Sequence, residues 1–313
     1  MDRRVKIWLA LLAVYIIWGS TYLAIRFAVE SIPPFLMVAT RFLVAGGILF
    51  AWRRARGDPL PTRAHWVAAA IVGILLLVAG NGSVVWAEQW VPSGITALIV
   101  GTAPLFMVLI DALKPGGQLP DWRTALGVVI GFGGILVLIN PASLSANPER
   151  SMITGLVVLF IATFFWAAGS LYSRKAHLPA SALLGTGMEM LVGGVVLLGI
   201  ATISGEWSQL DLATVTTRSW LGLAYLIIFG ALIGFVAYTW LLRSAPTPLV
   251  STYAYVNPLI AIFLGAWLGQ EALTPRILLA ALVIVSSVFI INSSRARFAK
   301  REPAPELLPV VEE

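Results

Sequence analysis

The sequence contains no cysteine, so neither a disulfide framework nor a thiolate metal site can hold it together. Charge is scarce: Asp, Glu, Lys and Arg make up 12% of its 313 residues, where a soluble domain carries about 25%. Only two histidines are present, His65 and His177, and both fall in expected cytoplasmic connections, which leaves no buried histidine relay. None of the four lysines follows a phosphate-binding glycine loop, so this chain has no ATP-driven step of its own. There is no HExxH pair and no GxSxG elbow. The apolar segments carry no Ser/His or paired-Asp arrangement for intramembrane proteolysis, no basic voltage-sensing helix and no filter-like loop. No catalytic residue, metal site or cofactor is expected.

What is abundant is apolar. Hydrophobic residues make up 59% of the chain, and mean hydropathy is +0.90. A helix needs about 20 mostly apolar residues to span a bilayer. Such runs are expected at 7–25, 35–52, 66–86, 94–113, 124–140, 153–172, 180–203, 219–242, 249–268 and 277–293. The start, Met1–Lys6 before an apolar run, has the outline of a signal peptide. No small-residue cleavage site closes that run, so it reads as a retained first span. The fold class is therefore an all-α integral membrane protein of ten transmembrane helices.

Lys and Arg in alternate connections set the orientation. Sixteen fall on one side and four on the other, with Arg41 inside a span, so both termini are expected in the cytoplasm. The net charge of +6 belongs to helix ends and anionic headgroups rather than to nucleic acid. Trp8, Trp52, Trp66, Trp122, Trp90, Trp207, Trp220 and Trp267 fit interfacial belts, whereas Trp18 and Trp166 lie deeper. The segment 294–313, rich in Pro and Glu at its end, is expected to be a disordered cytoplasmic tail.

The two halves align, 1–141 with 142–293. At an offset of 148, Trp18 meets Trp166, Arg26 meets Arg174, Arg41 meets Glu189 and Gly46 meets Gly194. At 154, Trp66 meets Trp220, Gly80 meets Gly234, Trp86 meets Trp240, Pro92 meets Pro246 and Pro104 meets Pro258. At 152, Asn140 meets Asn292. Five spans per half is an odd number, so the second half must enter the membrane inverted, as in many carriers.

The candidate site follows from this symmetry. Pro104 and Pro258 stand in mid-span, where each frees a carbonyl that needs a partner in protein or a wet cavity. Paired interruptions of this kind point to a midplane binding site. Near them, Tyr253 and Asn257 share a helix face, as do Tyr15, Trp18 and Tyr22, with Trp166 and Ser170 on a third helix. Asn81, Trp86 and Tyr238 complete an aromatic, sparsely charged lining suited to amphipathic or aromatic metabolites. Ordinary helix packing is the competing reading for each aromatic. Arg41 and Glu189 are charges inside spans, hence candidates for gating or coupling, and a direct ion pair between them is one option. Glu88, at the outer end of its span, is the other available carboxylate for proton coupling, with Asp111 a third. Gly127/Gly131 and Gly230/Gly234 form GxxxG motifs that favour close helix packing, within the chain rather than between copies.

These segments carry a resemblance. Ile16–Tyr22 (IIWGSTY), Pro33–Gly46 with its Arg41–Phe42, Gly80–Gly94 (GNGSVVWAEQWVPSG), Thr102–Phe106 (TAPLF) and Ser251–Leu259 (STYAYVNPL) resemble the EamA-type transporters of the drug/metabolite transporter superfamily. The likeness covers about residues 5–293 and is nearest the bacterial inner-membrane exporters of amino acids or metabolites. It implies two EamA repeats, a basket-like bundle and alternating access. The cavity it implies lies among helices 1, 3, 4, 6, 8 and 9, which carry Trp18, Asn81, Pro104, Trp166, Tyr238, Tyr253 and Asn257 here. Glu189 departs from the arginine that a symmetric duplication would place opposite Arg41. The expected function is a secondary carrier exporting small metabolites, working as a monomer or weak homodimer with a small-molecule substrate and the bilayer as partners. Uptake or facilitated diffusion is the alternative. A membrane enzyme would need converging catalytic groups, and a sensor a larger soluble domain.

Overall fold

In a computed structural model of the chain, the described residues are 2–114, 119–139, 150–250 and 252–299, with backbone alone at 139, 150, 247–248 and 294–299. The described residues are 81% helix and include no strand. In order the helices are α1 (Arg3–Ala28), α2 (Pro34–Ala55), α3 (Arg63–Ala87), α4 (Ser93–Leu113), α5 (Trp122–Ile139), α6 (Arg150–Ser173), α7 (Ala182–Ile203), α8 (Thr217–Ser244), α9 (Tyr253–Trp267) and α10 (Pro275–Ala299). Eight are long and apolar enough to cross a membrane; α5 and α9 are shorter apolar helices. Residues 294–299 continue α10, while Asn140 and the rest of the expected tail lie outside the described residues.

Local chemistry accounts for the helix starts. Pro34 opens α2 at a position where a missing N–H is harmless. Ser181 and Thr216 accept from backbone N–H groups of Leu184 and Ser219, and Thr62 forms a capping box with His65. Large apolar side chains such as Val44, Ile48, Val195 and Phe289 stay exposed on the outer surface of the bundle, as contact with lipid tails requires. Trp8, Trp52, Trp122, Trp207, Trp220 and Trp267 are exposed too, whereas Trp18 and Trp166 are each 8% exposed.

Equivalent helices of the two halves pack on each other, and small residues let them approach. A β-carbon at Gly46 of α2 would lie 2.9 Å from the Gly187 carbonyl oxygen of α7, and one at Gly194 would lie 3.0 Å from Leu43 N. Residue numbers rise along α2 as they fall along α7, so this pair is antiparallel. The same holds for α5 and α10, where Gly127 and Gly131 face Ile291 and Ser287, and Gly134 faces Ile284.

A reciprocal pair of turns clasps α2 to α7. Each helix is followed by a left-handed glycine, Gly57 (φ 88°) or Gly205 (φ 74°), and then an acid. Glu206 accepts from Phe35 N (3.1 Å) and Leu36 N (2.8 Å) in the first turn of α2. Asp58 bonds Arg53 (2.6 and 2.9 Å) and the Ser181 side chain at the start of α7. These bonds from Arg53, then the one with Ser181, hold the Asp58 carboxyl below the usual carboxylate range. A depressed folded-state value stabilises above the unfolded value and loses that stabilisation as pH falls through the folded one. Asp58→Asn is therefore expected to melt below the unmodified chain near neutral pH. The two melting curves are expected to converge as pH drops below about 3.9, as thermal melts across that range would register.

A third acid joins separate helices. Glu271, in the turn after α9, accepts from Ser93 N (2.8 Å) and Gly94 N (3.0 Å) at the start of α4, and its Oε1 lies 3.7 Å from Arg26 Nε of α1. Gln270 before it takes φ 53°, a left-handed conformation uncommon outside glycine, which turns the chain toward α4. Glu271→Ala removes an acceptor from two orphan helix-end donors. It is expected to destabilise by roughly 1–2 kcal/mol, measured by denaturant titration in micelles.

Candidate functional site

The site rests on interruptions in five helices. α1, α3 and α8 each contain wide π-type turns, at Val14–Trp18, Ile74–Gly82 and Leu226–Phe235. Those in α3 and α8 fall at equivalent places in the two halves. Such turns rotate side chains away from regular helical register and are frequent at functional sites. They deliver Trp18, Leu77, Gly80, Asn81 and Phe235 to one cavity.

α4 is broken outright while α9 carries Pro258 within a continuous helix, and here one expectation is corrected. Pro104 does not sit inside a continuous helix. α4 breaks after Val100, and Ala103–Leu113 starts afresh with Pro104 in its first turn, where no N–H is missed. Thr102 stabilises the break by donating its hydroxyl to Ile99 O at 2.6 Å. Pro258 does lie inside a helix, α9, whose described start at Tyr253 follows a single helical turn, Thr247–Val250. The two interruptions meet: a β-carbon at Gly101 would stand 2.8 Å from Ala254 O and 2.9 Å from Pro258 Cγ.

Between the halves lies a cavity with an empty volume of about 620 Å³ including its opening. Trp18, Tyr22, Asn81, Trp166 and Tyr253 line it, together with Arg41. Trp18 is the hub of its aromatic wall, with ring centroids 4.8 Å from Tyr238, 5.5 Å from Trp166 and 5.7 Å from Tyr253. Hydrogen bonds hold these rings. Trp18 Nε1 donates to Gly230 O (3.3 Å), Trp166 Nε1 donates to Tyr253 OH (3.1 Å), and Tyr238 OH pairs with Ser170 Oγ (2.8 Å). Tyr238 does not line this cavity; it borders a second, smaller one of about 250 Å³ empty volume, beside Ser170 and Arg174, and Tyr253 borders both. Tyr253 thus stands in the partition between the two.

The other residues singled out in the sequence lie away from the main cavity. Tyr15 bonds the Thr252 hydroxyl. Asn257, with its amide nitrogen turned toward α1, donates to Tyr15 O (3.2 Å) and Tyr253 O (3.3 Å), tying α9 to α1. Pro104 and Pro258 are buried in packing. Trp86 packs edge-on against Trp90, centroids 4.6 Å apart. Glu88 is buried at the end of α3, and neither of its carboxylate oxygens has a partner among the described residues.

Arg41 and Glu189 form no ion pair among the described residues. Arg41 reaches the cavity, where its Nη1 meets Asn81 Oδ1 at 3.5 Å. The Glu189 backbone packs against α3, where a β-carbon on Gly73 would stand 2.6 Å from its carbonyl oxygen, and one turn earlier in α7 a β-carbon on Gly185 would stand 3.3 Å from Arg243 Nη2. The second GxxxG serves the cavity. A β-carbon at Gly230 would approach Arg41 Nη2 to 2.8 Å, and one at Gly234 would approach Trp18 Nε1 to 2.7 Å. Sequence reasoning passed over Thr21, Phe42, Thr163 and Phe235 on the cavity wall, and the acids Glu206 and Glu271. The Gly57-Asp58 and Gly205-Glu206 pairs do recur at the 148-residue offset, a signal that was available.

Two interrupted, related bundles around an aromatic cavity match known proteins. The EamA-like transporter family matches residues 5–140 and again 153–293. The chain belongs to the EamA-like transporter family. It is 40% identical over 306 residues to the uncharacterized inner membrane transporter YedA of Escherichia coli K12, covering 97% of this chain and 95% of that one. It is 25% identical to the uncharacterized transporter YoaV of Bacillus subtilis (91% and 96% covered) and 26% identical to the protein PecM of Dickeya dadantii (93% of each). A solved structure titled only as a crystal structure of a protein superposes with a TM-score of 0.66 at 20% identity, covering 94% of this chain and 98% of that one, a likeness of fold alone. As an EamA-like protein the chain is a multi-pass membrane transporter rather than an enzyme.

Proposed function

We propose that the chain is a ten-span secondary carrier of the cytoplasmic membrane, with two inverted five-helix halves and both termini in the cytoplasm. It moves small metabolites, such as amino acids or amphipathic analogues, by alternating access. The observation that carries this reading is the placement of the cavity. It lies between the two repeats, on the interrupted segments of equivalent helices, behind a wall of hydrogen-bonded aromatics. The antiparallel packing of the equivalent pairs α2/α7 and α5/α10 supports inversion, because a pseudo-twofold axis in the membrane plane relates such pairs. Exchange of conformation between the halves would open the cavity to one side and then the other. The tight α2/α7 clasp suits a pivot, and the Tyr253 partition suits a gate.

Export is the direction in keeping with the resemblance to bacterial exporters. The test is counterflow and gradient-driven flux in proteoliposomes containing this chain alone, with amino acids and aromatic amphiphiles as solutes and with or without a pH gradient. Saturable counterflow is expected. Flux that is linear with concentration and shows no counterflow would reject a carrier. Equal rates in both orientations without a driving gradient would favour facilitated diffusion over export.

A further inference from the structure

The cavity holds a charge for which the described residues provide no counter-ion, only the Phe42 ring, 5.0 Å from its guanidinium carbon, and the Asn81 amide oxygen. Arg41 is 3% exposed and is the single formally charged residue on the described wall. Among the described residues it makes no ion pair within 4 Å. Its Nε has no hydrogen-bond partner, and its contact with Asn81 is long at 3.5 Å. A guanidinium taken out of water is costly unless a counter-charge and hydrogen bonds compensate. The buried carboxylates do not provide them: among the described residues neither Glu189 nor Glu88 forms an ion pair with Arg41, and the Glu88 oxygens have no hydrogen-bond partner. The bundle nevertheless keeps room for this side chain, since a β-carbon at Gly230 would approach Nη2 to 2.8 Å.

We propose that the solute this cavity accepts is a monocarboxylate with an aromatic or branched apolar body, and that Arg41 binds its carboxylate. This rests on the reading of the cavity as the transport site, and it names the substrate class. The planar guanidinium presents paired N–H donors that match two carboxylate oxygens. A single cation with no second basic group on the wall suits a monoanion. Trp18, Tyr22, Phe42, Trp166 and Tyr253 supply the apolar surface for the body of the solute. Asn81 Oδ1, beside the guanidinium, is an acceptor for a neighbouring donor on the solute, such as the ammonium of an amino acid. Equivalence with Glu189 argues against a purely architectural arginine. α2 and α7 are packing twins, yet the member that faces the cavity carries the cation.

The test is equilibrium binding to the purified full chain in nanodiscs, using three solutes of one shape: phenylacetate, phenylacetamide and phenethylamine. Phenylacetate is expected to bind roughly 10- to 100-fold tighter than the amide, the range for a hydrogen bond to a charged group, and the amine weakest of all. Arg41→Gln is expected to erase the preference for the acid over the amide, and Arg41→Lys to retain part of it. Comparison of the three solutes on the unmodified chain does not depend on how any variant folds. Amide or amine binding as tightly as the acid overturns the proposal. So does absence of acid binding, or acid binding unchanged in a monodisperse Arg41→Gln protein. Counterflow separates the two readings. Carriage of neutral or cationic solutes untouched by Arg41→Gln would overturn the substrate class and leave the carrier standing. Acid binding that depends on Arg41 without counterflow of any solute would support the class and remove the carrier.

Discussion

Trp18→Ala is expected to lower stability by about 3–5 kcal/mol, the cost of truncating a buried tryptophan, and to abolish saturable transport. Trp18 touches Trp166, Phe235, Tyr238 and Tyr253 at once, with centroids 4.8–6.3 Å apart. Its removal merges the cavity with the space it fills and releases all four rings. Trp18→Phe separates two contributions. It keeps most of the apolar surface but loses the donor to Gly230 O, a bond worth about 1 kcal/mol net. Denaturant titration in micelles would measure both. If alanine cost no more than phenylalanine, the ring cluster would be incidental to folding. If Trp18→Ala still showed full counterflow, the aromatic wall would have no part in the path.

Gly46→Ala and Gly47→Ala are expected to differ in sign although the residues are neighbours. At Gly46 a β-carbon would meet Met190 Cβ at 2.8 Å and backbone atoms of Gly187 and Leu191 at 2.9 Å. Main chain cannot rotate aside as a side chain can, so α2 and α7 must separate. The expected cost is about 1–3 kcal/mol for alanine, and valine is expected to prevent assembly. At Gly47 nothing lies within 4 Å of the added carbon. Alanine there removes backbone freedom from the unfolded chain and is expected to be neutral or to stabilise by up to about 1 kcal/mol. Equal effects at the two positions would contradict the packing of α2 on α7.

The same contrast shows what a sequence can reveal. Helix positions were legible because hydrophobic length and terminal charge act locally: runs expected at 35–52 and 180–203 become Pro34–Ala55 and Ala182–Ile203. Trp18 and Trp166 stood apart from the interfacial tryptophans because depth along a span is a property of the run itself. Pro104 does stand in mid-span, but a proline marks an irregularity without showing whether the helix bends there or starts again. Thr102 supports a new start locally, through Ile99 O, and Gly101 does so by packing against Ala254 and Pro258, more than 150 positions along the chain. The wide turns of α1, α3 and α8 left no signal, because any apolar stretch can adopt them once its neighbours reward the change in register.

Residue type and order alone determined an all-helical membrane protein with a duplicated plan, no catalytic apparatus and a shortlist of deep polar and aromatic groups. Tertiary structure decided which of these groups share a space. Arg41 and Glu189 are equivalent in the duplication, but Arg41 lines the cavity while the Glu189 backbone packs against α3, because two packed helices present different faces to different neighbours. Tyr15 and Asn257 stand out by spacing along single helices, which cannot say what lies opposite. Glu206 and Glu271 cap helices from the other half of the chain, and Asp58 reaches a side chain of that half, Ser181. Such bonds depend on where helix ends meet in space, and that is set only when the two halves close on each other.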